Sequence, residues 1–209
     1  VLKFGKQDAL AGIVTGIFMF GGFAAQTIGL QYINAGNSAF LSSAYIVIVP
    51  FMLWVFTKKR PSFQVFFCAA LCMTGISLLT LQSGFNISFG DTLTLICAVF
   101  FAAMLISVEY FAKKVDPILL TISQMGFVSI LFLVIAFFSE PFPTVSGYLW
   151  LEMIYIVVLG TVLTQLFTNT AMKYSDPNHA SIIFSLESVS AVVFAAIFLK
   201  EQLTLRMFF

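Results

Sequence analysis

The hydrophobic residues of this sequence occur in long continuous runs that are separated by short polar segments. A run of about 20 apolar residues is the length that an α-helix needs to cross the roughly 30 Å hydrocarbon core of a bilayer. No run shows the two-residue alternation that is typical of a half-buried strand. The pattern therefore predicts an all-α fold, a polytopic bundle of transmembrane helices in the lipid bilayer.

Seven spans, labelled A to G, are predicted from these runs and from the Gly, Pro and charged residues between them. They cover residues 9–32 (A), 37–56 (B), 63–81 (C), 91–112 (D), 117–138 (E), 148–172 (F) and 178–199 (G). Residues 203–209 resemble the beginning of a further span. Span A carries small residues at helical spacing, which predicts a close approach of another helix at Gly12, Gly16 and Gly22.

Composition and charge narrow the class of protein. Of the 209 residues, 60% are hydrophobic and 9% are charged, against about 25% charged in soluble domains. The net charge of +1 argues against a nucleic-acid partner, because such binding needs a concentrated basic surface. The three cysteines lie in apolar runs without histidine or carboxylate neighbours, so neither a metal nor a cofactor is predicted. The sequence makes no prediction of oligomeric state.

The positive charges predict the orientation of the spans, because loops rich in Lys and Arg stay on the cytoplasmic side. With the amino end of A inside, eight of the ten Lys and Arg residues also lie inside. These eight are Lys3, Lys6, Lys58, Lys59, Arg60, Lys113, Lys114 and Lys173. Only Lys200 and Arg206 are then outside, and this asymmetry favours a cytoplasmic amino end.

Two parts of the chain resemble each other. Shifting the sequence by 142 positions aligns residues 32–58 with residues 174–200 without a gap. Identical residues occur at Tyr32/Tyr174, Ser43/Ser185, Val47/Val189, Phe56/Phe198 and Lys58/Lys200. The predicted orientation places the link between A and B outside and the link between F and G inside, so the two copies are inverted. Inverted repeats are typical of secondary transporters.

Several short motifs are shared with a known family. They occupy residues 29–32, 38–41, Pro50, 60–62 and 75–79 in the first copy, and 171–174, 180–181 and 199–204 in the second. In their order and spacing the sequence is similar to EamA-type members of the drug/metabolite transporter superfamily, whose pattern is two inverted repeats of five spans. The resemblance implies that residues 1–81 are the last three spans of one repeat. Residues 82–209 would be the second repeat with an incomplete last span.

The resemblance also implies a function. It indicates a secondary active transporter that exports small metabolites, amino-acid-like or other small organic solutes, by alternating access. Protons are a candidate coupling ion, and the bacterial cytoplasmic membrane is the expected location. The alternative is a seven-span receptor or scaffold without transport. An enzyme is not expected, because the sequence shows no grouping of a nucleophile with a base.

Glu187, near the centre of span G, is the clearest candidate for chemistry. A carboxylate at this depth costs about 2.5–3.5 kcal/mol on insertion scales, so it tends to face a cavity or a partner. We predict that Glu187 binds a proton or a cation, and a structural carboxyl that hydrogen-bonds to neighbouring helices is the alternative. Tyr45 is its repeat partner, and Ser42 is expected on the same helix face as Tyr45. For Tyr45 the alternative is a core aromatic with a hydrogen-bonded hydroxyl.

Four amide side chains form a second candidate set inside the spans. They are Gln26 in A, Gln124 in E, and Gln165 and Asn169 in F. Gln165 and Asn169 are four residues apart and so share a helix face, which suits the wall of a polar cavity on the substrate or proton pathway. The alternative for each amide is a hydrogen bond that holds two helices together.

Overall fold

The computed structural model of the chain describes residues 4–58, 88–139 and 147–175, and single helical positions within 63–74 and 180–194. In these parts of the chain every regular element is a helix, which confirms the predicted all-α fold. The elements are α1 (Lys6–Gly29), α2 (Ala35–Ser42), α3 (Tyr45–Thr57), α4 (Phe89–Ala112), α5 (Pro117–Ser139), α6 (Gly147–Tyr155), the π-helix π1 (Ile156–Leu163) and α7 (Thr164–Tyr174).

Four helical stretches among the described residues are long and apolar enough to cross a membrane. They are α1, α4, α5 and the continuous stretch Gly147–Tyr174, which comprises α6, π1 and α7. Their mean hydropathies lie between 1.6 and 2.4. They correspond to the predicted spans A, D, E and F, whose bounds differ from the helix ends by at most three residues. Spans C and G lie largely outside the described residues, so the count of seven stays a prediction.

The prediction of span B as one continuous helix is wrong. α2 ends at Ser42 and α3 begins at Tyr45, and a tight turn separates them. In this turn the Ala44 N–H donates to the Leu41 carbonyl at 3.1 Å, three residues back rather than four. The Ser42 hydroxyl also donates to a carbonyl of its own helix at 3.0 Å. Serine hydroxyls that bond the backbone, together with Pro50 inside α3, are recognised causes of such breaks.

The stretch Gly147–Tyr174 exposes apolar side chains and buries polar ones. α6 and π1 have no buried residue, and apart from the half-buried Leu163 their aliphatic and aromatic side chains are exposed. In α7 the buried residues are Gln165, Asn169 and Met172. A helix in water buries its apolar face, whereas this one exposes apolar side chains and buries amides. The pattern suits a helix with lipid on its outside and polar partners on its inside.

The chain divides into two compact units, and the first consists of Val1–Phe20 and Ser107–Ser175. In this unit the first half of α1 packs closely against α5. The Ser123 hydroxyl donates to the Asp8 carbonyl at 2.9 Å, and the rings of Phe20 and Phe132 lie 4.7 Å apart. A Cβ atom at Gly12 would overlap Ser123, so the predicted close approach at Gly12 is confirmed.

The second unit consists of Gly21–Ile106 and Asp176–Phe209. Here the second half of α1 packs against α4. A Cβ atom at Gly22 would lie 2.6 Å from the Phe101 ring, which confirms the predicted close approach at this glycine too. The rings of Tyr32 and Phe89 meet edge to face at 5.4 Å. The small residues of α1 thus allow the aromatic side chains of α4 to pack directly against it.

Candidate functional site: a buried amide cluster

A group of buried polar side chains joins α5 to α7 within the first unit. We call Thr121, Gln124, Gln165 and Asn169 the amide cluster, and their exposed fractions are 5%, 0%, 7% and 0%. Gln124 is the eighth residue of α5, which places it about 10 Å from the start of that helix at a rise of 1.5 Å per residue. The amide cluster therefore lies inside an apolar span, where water does not compete for its hydrogen bonds.

Hydrogen bonds connect all members of the amide cluster. Asn169 Nδ2 donates to Thr121 Oγ1 at 2.9 Å and to Gln124 Oε1 at 3.1 Å. Gln165 Nε2 donates to Gln124 Oε1 at 3.3 Å and to Asn169 Oδ1 at 3.1 Å. Thr121 Oγ1 donates in turn to the Pro117 carbonyl at 2.7 Å. Three of the side-chain bonds cross between the helices, and at about 0.6 kcal/mol each they stabilise the pair by about 2 kcal/mol.

Helical spacing explains why these residues meet. Thr121 and Gln124 are three residues apart in α5, and Gln165 and Asn169 are four residues apart in α7, so each pair occupies one face of its helix. The same face of α5 carries the buried Leu120 one turn before Gln124. The polar contacts are therefore set in an otherwise apolar helix interface, which strengthens them electrostatically.

Gln124 has an unused donor. Its Nε2 atom is shielded from solvent and finds no hydrogen-bond acceptor among the described residues. Its Oε1 atom accepts from both Gln165 and Asn169, so rotating this amide alone by a half turn would set three NH₂ groups against one another. With Gln165 and Asn169 in the orientations of this structure, the free atom is the nitrogen. An unpaired buried amide donor costs about 1–3 kcal/mol, and a functional role is one reason why a native structure carries such a cost.

The π-helix leads directly into the amide cluster. π1 ends at Leu163, two residues before Gln165, and its carbonyls bond five residues ahead rather than four. The hydroxyls of Thr161 and Thr164 follow the same spacing, since they donate to the carbonyls of Ile156 (3.3 Å) and Leu159 (3.0 Å). Each extra residue in a turn rotates the following side chains by about 100° about the helix axis. π1 therefore sets the direction in which Gln165 and Asn169 point.

Comparison with known proteins identifies the family of this chain. Residues 2–81 and 88–209 match the EamA-like transporter family. The chain belongs to this family. It is also 30% identical over 197 residues to an uncharacterized transporter from Archaeoglobus fulgidus. That alignment covers 94% of this chain and 63% of the relative, so the chain spans a little under two thirds of the relative's length. The predicted resemblance to EamA-type transporters is confirmed.

In this EamA-like chain the structure brings together three of the residues that the sequence singled out. Gln124, Gln165 and Asn169 form direct hydrogen bonds across α5 and α7. Sequence reasoning missed Thr121, which accepts from Asn169. Its position three residues before Gln124 was the available signal, because that spacing places a side chain on the same helix face.

The other predicted site residues lie elsewhere. Gln26 is half-buried in the last turn of α1 and belongs to the second unit, as do Ser42 and Tyr45. Ser42 and Tyr45 are both buried, but they lie on either side of the break between α2 and α3 rather than on one continuous helix. Their predicted common helix face is therefore replaced by a turn. Glu187 lies outside the described residues.

The amide cluster is suited to hydrogen bonding rather than to charge or metal chemistry. Its members are neutral, and α5 contains no charged residue. Within the described ranges, no three His, Cys, Asp or Glu side chains are grouped in a way that could hold a metal ion. The cluster can therefore orient and hold a polar group of a solute, but its own side chains supply no proton acceptor that titrates near neutral pH.

Proposed function

We propose that this EamA-like chain works in a secondary active transporter that exports small organic solutes by alternating access. The observation that carries the proposal is the amide cluster, a hydrogen-bonded polar group buried between two apolar helices. Polar residues at such depth are costly in hydrocarbon, and in membrane proteins they often mark the path of a solute or ion. Membership of the family and the description of the Archaeoglobus relative as a transporter support the same function.

The interrupted helices provide a second line of support. Transporter sites are commonly built where membrane helices are discontinuous, because unwound backbone can coordinate a solute. The break between Ser42 and Tyr45 is such an interruption, and the π-helix before Gln165 is a local change of helix geometry of a kind that is frequent at functional sites. Both lie next to polar residues of the predicted substrate pathway. We include Ser42 and Tyr45 in that pathway on this ground, and Gln26 because it is an amide inside a predicted span.

The proposed architecture follows from the charge distribution and the internal repeat. Seven spans are arranged as two inverted repeats, residues 1–81 and 82–209, with a cytoplasmic amino end. Inversion lets two similar halves exchange conformations and open a central site to each side in turn. The bacterial cytoplasmic membrane is the location that we propose, since the positive-inside asymmetry holds there.

Proton coupling is the proposed source of energy. Glu187 is the one carboxylate near the middle of a predicted span, and binding and release of its proton would change the charge of the site. Exchange of a proton for the solute would then drive export. Tyr45, at the equivalent position of the repeat, has a hydroxyl that could hydrogen-bond either the solute or water.

The first experiment tests the amide cluster in transport. The full-length protein is reconstituted into vesicles, and a screen of labelled amino acids and other small organic solutes identifies what it moves. We expect Asn169→Leu to reduce that flux at least tenfold, because Asn169 connects every other member of the cluster. Thr170→Val is the matched control, since Thr170 is exposed on the same helix. Wild-type protein that moves no solute, or Asn169→Leu protein that moves it at the normal rate, would contradict the proposal.

The second experiment tests proton coupling. Glu187→Gln in the full-length protein should abolish uptake driven by a pH gradient in inverted vesicles while leaving the amount of protein unchanged. The substitution keeps the size and polarity of the side chain but removes the group that binds a proton. Unaltered pH-driven transport would reject Glu187 as the coupling residue and would leave the export function open to another driving ion.

A further inference from the structure

The hydrogen bonds of Gln124 Oε1 determine the direction in which its unused Nε2 donor points. Gln124 Oε1 accepts from Gln165 and Asn169 at 3.3 Å and 3.1 Å, so this end of the amide faces α7. The Nε2 end must then face away from both of these donors. It is fully buried and has no acceptor among the described residues. The side chain is thus held by two bonds in an orientation that leaves its two N–H groups for a further partner.

The surroundings decide what kind of acceptor fits. α5 has no charged residue, and Lys173 is the one basic residue of α7. The Lys173 ammonium is turned towards the Tyr174 ring, 5.9 Å from its centroid. A carboxylate entering this place would be desolvated without a counter-charge from α5 and with the one basic residue of α7 turned elsewhere, which is strongly unfavourable. A neutral carbonyl oxygen needs only the hydrogen bonds that the Gln124 NH₂ group can donate.

Apolar residues lie next to Gln124 on its own helix. Leu120 and Val128 are one turn before and one turn after it on the same face of α5, and both are buried. Aliphatic groups near a polar donor are typical of sites for small, partly apolar molecules.

We infer that Gln124 is a specificity-determining residue that donates hydrogen bonds to the carbonyl oxygen of a neutral, partly apolar solute. This inference rests on the proposed transport function, because Nε2 is closed to solvent in this structure. A solute can reach it only when the helices part, as alternating access requires. Gln165 and Asn169 then act as positioning residues, since they hold the Gln124 oxygen and so aim its nitrogen.

The inference is tested by measuring how three small molecules, each with a phenyl group, bind to the purified full-length protein. The probes are phenylacetamide, which offers a neutral carbonyl, phenylacetate, which offers a carboxylate, and phenethylamine, which offers only donors. Ligand-induced shifts of the thermal unfolding midpoint report binding. We expect phenylacetamide to raise the midpoint and phenylacetate to leave it unchanged.

Variants of Gln124 assign the binding to the free donor. Gln124→Met, of similar size but without donors, should weaken phenylacetamide binding about tenfold, the effect of losing one or two hydrogen bonds. Gln7→Met, the same substitution at an exposed position of α1, should bind like wild type. Gln124→Glu replaces the donor by an acceptor and should gain a response to phenethylamine. A gain of binding cannot result from misfolding, so it keeps the test valid if Gln124→Met is unstable.

Three results would overturn the inference: equal binding of phenylacetamide by wild type and Gln124→Met, binding of phenylacetate as tight as that of phenylacetamide, or no shift with any probe. Transport of labelled phenylacetamide separates this inference from the proposed function. Binding that depends on Gln124 without flux would reject transport and keep the site. Flux of other solutes that is the same in Gln124→Met would reject the site and keep transport.

Discussion

Gly12→Ala is the most direct perturbation of the helix packing. The added methyl group would lie 2.6 Å from the carbonyl carbon of Ser123 and would overlap the Ser123 side chain. Favourable contacts between carbon atoms begin at about 3.5 Å, so α1 and α5 would have to separate by about 1 Å at this point. The separation would also lengthen the 2.9 Å hydrogen bond from the Ser123 hydroxyl to the Asp8 carbonyl.

The expected loss of stability can be worked out from these contacts. Overpacking costs about 1–3 kcal/mol, and loss of one hydrogen bond between membrane helices costs about 0.6 kcal/mol. Alanine regains up to about 1 kcal/mol because it is a better helix former than glycine. We therefore expect Gly12→Ala to lower the free energy of unfolding by about 1–3 kcal/mol.

Gly126→Ala provides the matched control. Gly126 lies in α5, and a Cβ atom built there has no neighbour within 4 Å. The same substitution should thus be neutral or should stabilise the protein by up to about 1 kcal/mol. Equilibrium unfolding of the full-length protein in mixed detergent and SDS micelles measures both variants. Equal stabilities for Gly12→Ala and Gly126→Ala would show that the two helices do not approach closely at Ser123.

Three further predictions concern the amide cluster, a surface ion pair and the topology. Asn169→Leu should lower the free energy of unfolding by about 2 kcal/mol, because three side-chain hydrogen bonds are lost. Thr170→Val should change it little, and the same micelle titration measures both variants. Glu109→Gln, which removes the exposed pair with the lysine one turn later, should change stability by less than about 0.5 kcal/mol in that titration. Single cysteines placed in the links 34–37 and 175–178 should react with an impermeant maleimide from outside and from inside, respectively. Labelling of both links from one side would contradict the inverted repeat.

The long helices could be predicted from the sequence because hydrophobic length alone determines a membrane span. The predicted bounds of spans A, D, E and F agree with the helix ends to within three residues for this reason. The break at Ser42 and the π-helix could not be predicted in the same way. Both depend on whether a backbone or hydroxyl donor bonds the carbonyl three, four or five residues earlier in the chain. The hydropathy of the sequence carries no information on this.

The members of the amide cluster could be recognised, but their pairing could not. Gln124, Gln165 and Asn169 are polar residues in apolar runs, and such residues need a partner inside the membrane. Which helices meet depends on contacts between residues 41 to 48 positions apart in sequence. Thr121 could be recognised only by its spacing from Gln124, because threonine hydroxyls in helices usually bond their own backbone. Here its oxygen does so and also accepts from α7.

The pairing of α5 with α7 has a consequence for the order of events during synthesis. Gln124 leaves the ribosome 41 residues before Gln165, and at about 5–20 residues per second this interval lasts about 2–8 s. Throughout that time the Gln124 amide has neither of its partners from α7. A nascent chain that stops before Gln165 would keep a lone amide in hydrocarbon and would be an early substrate for membrane quality control. Arrival of α7 is thus the step that supplies the two donors to the Gln124 oxygen.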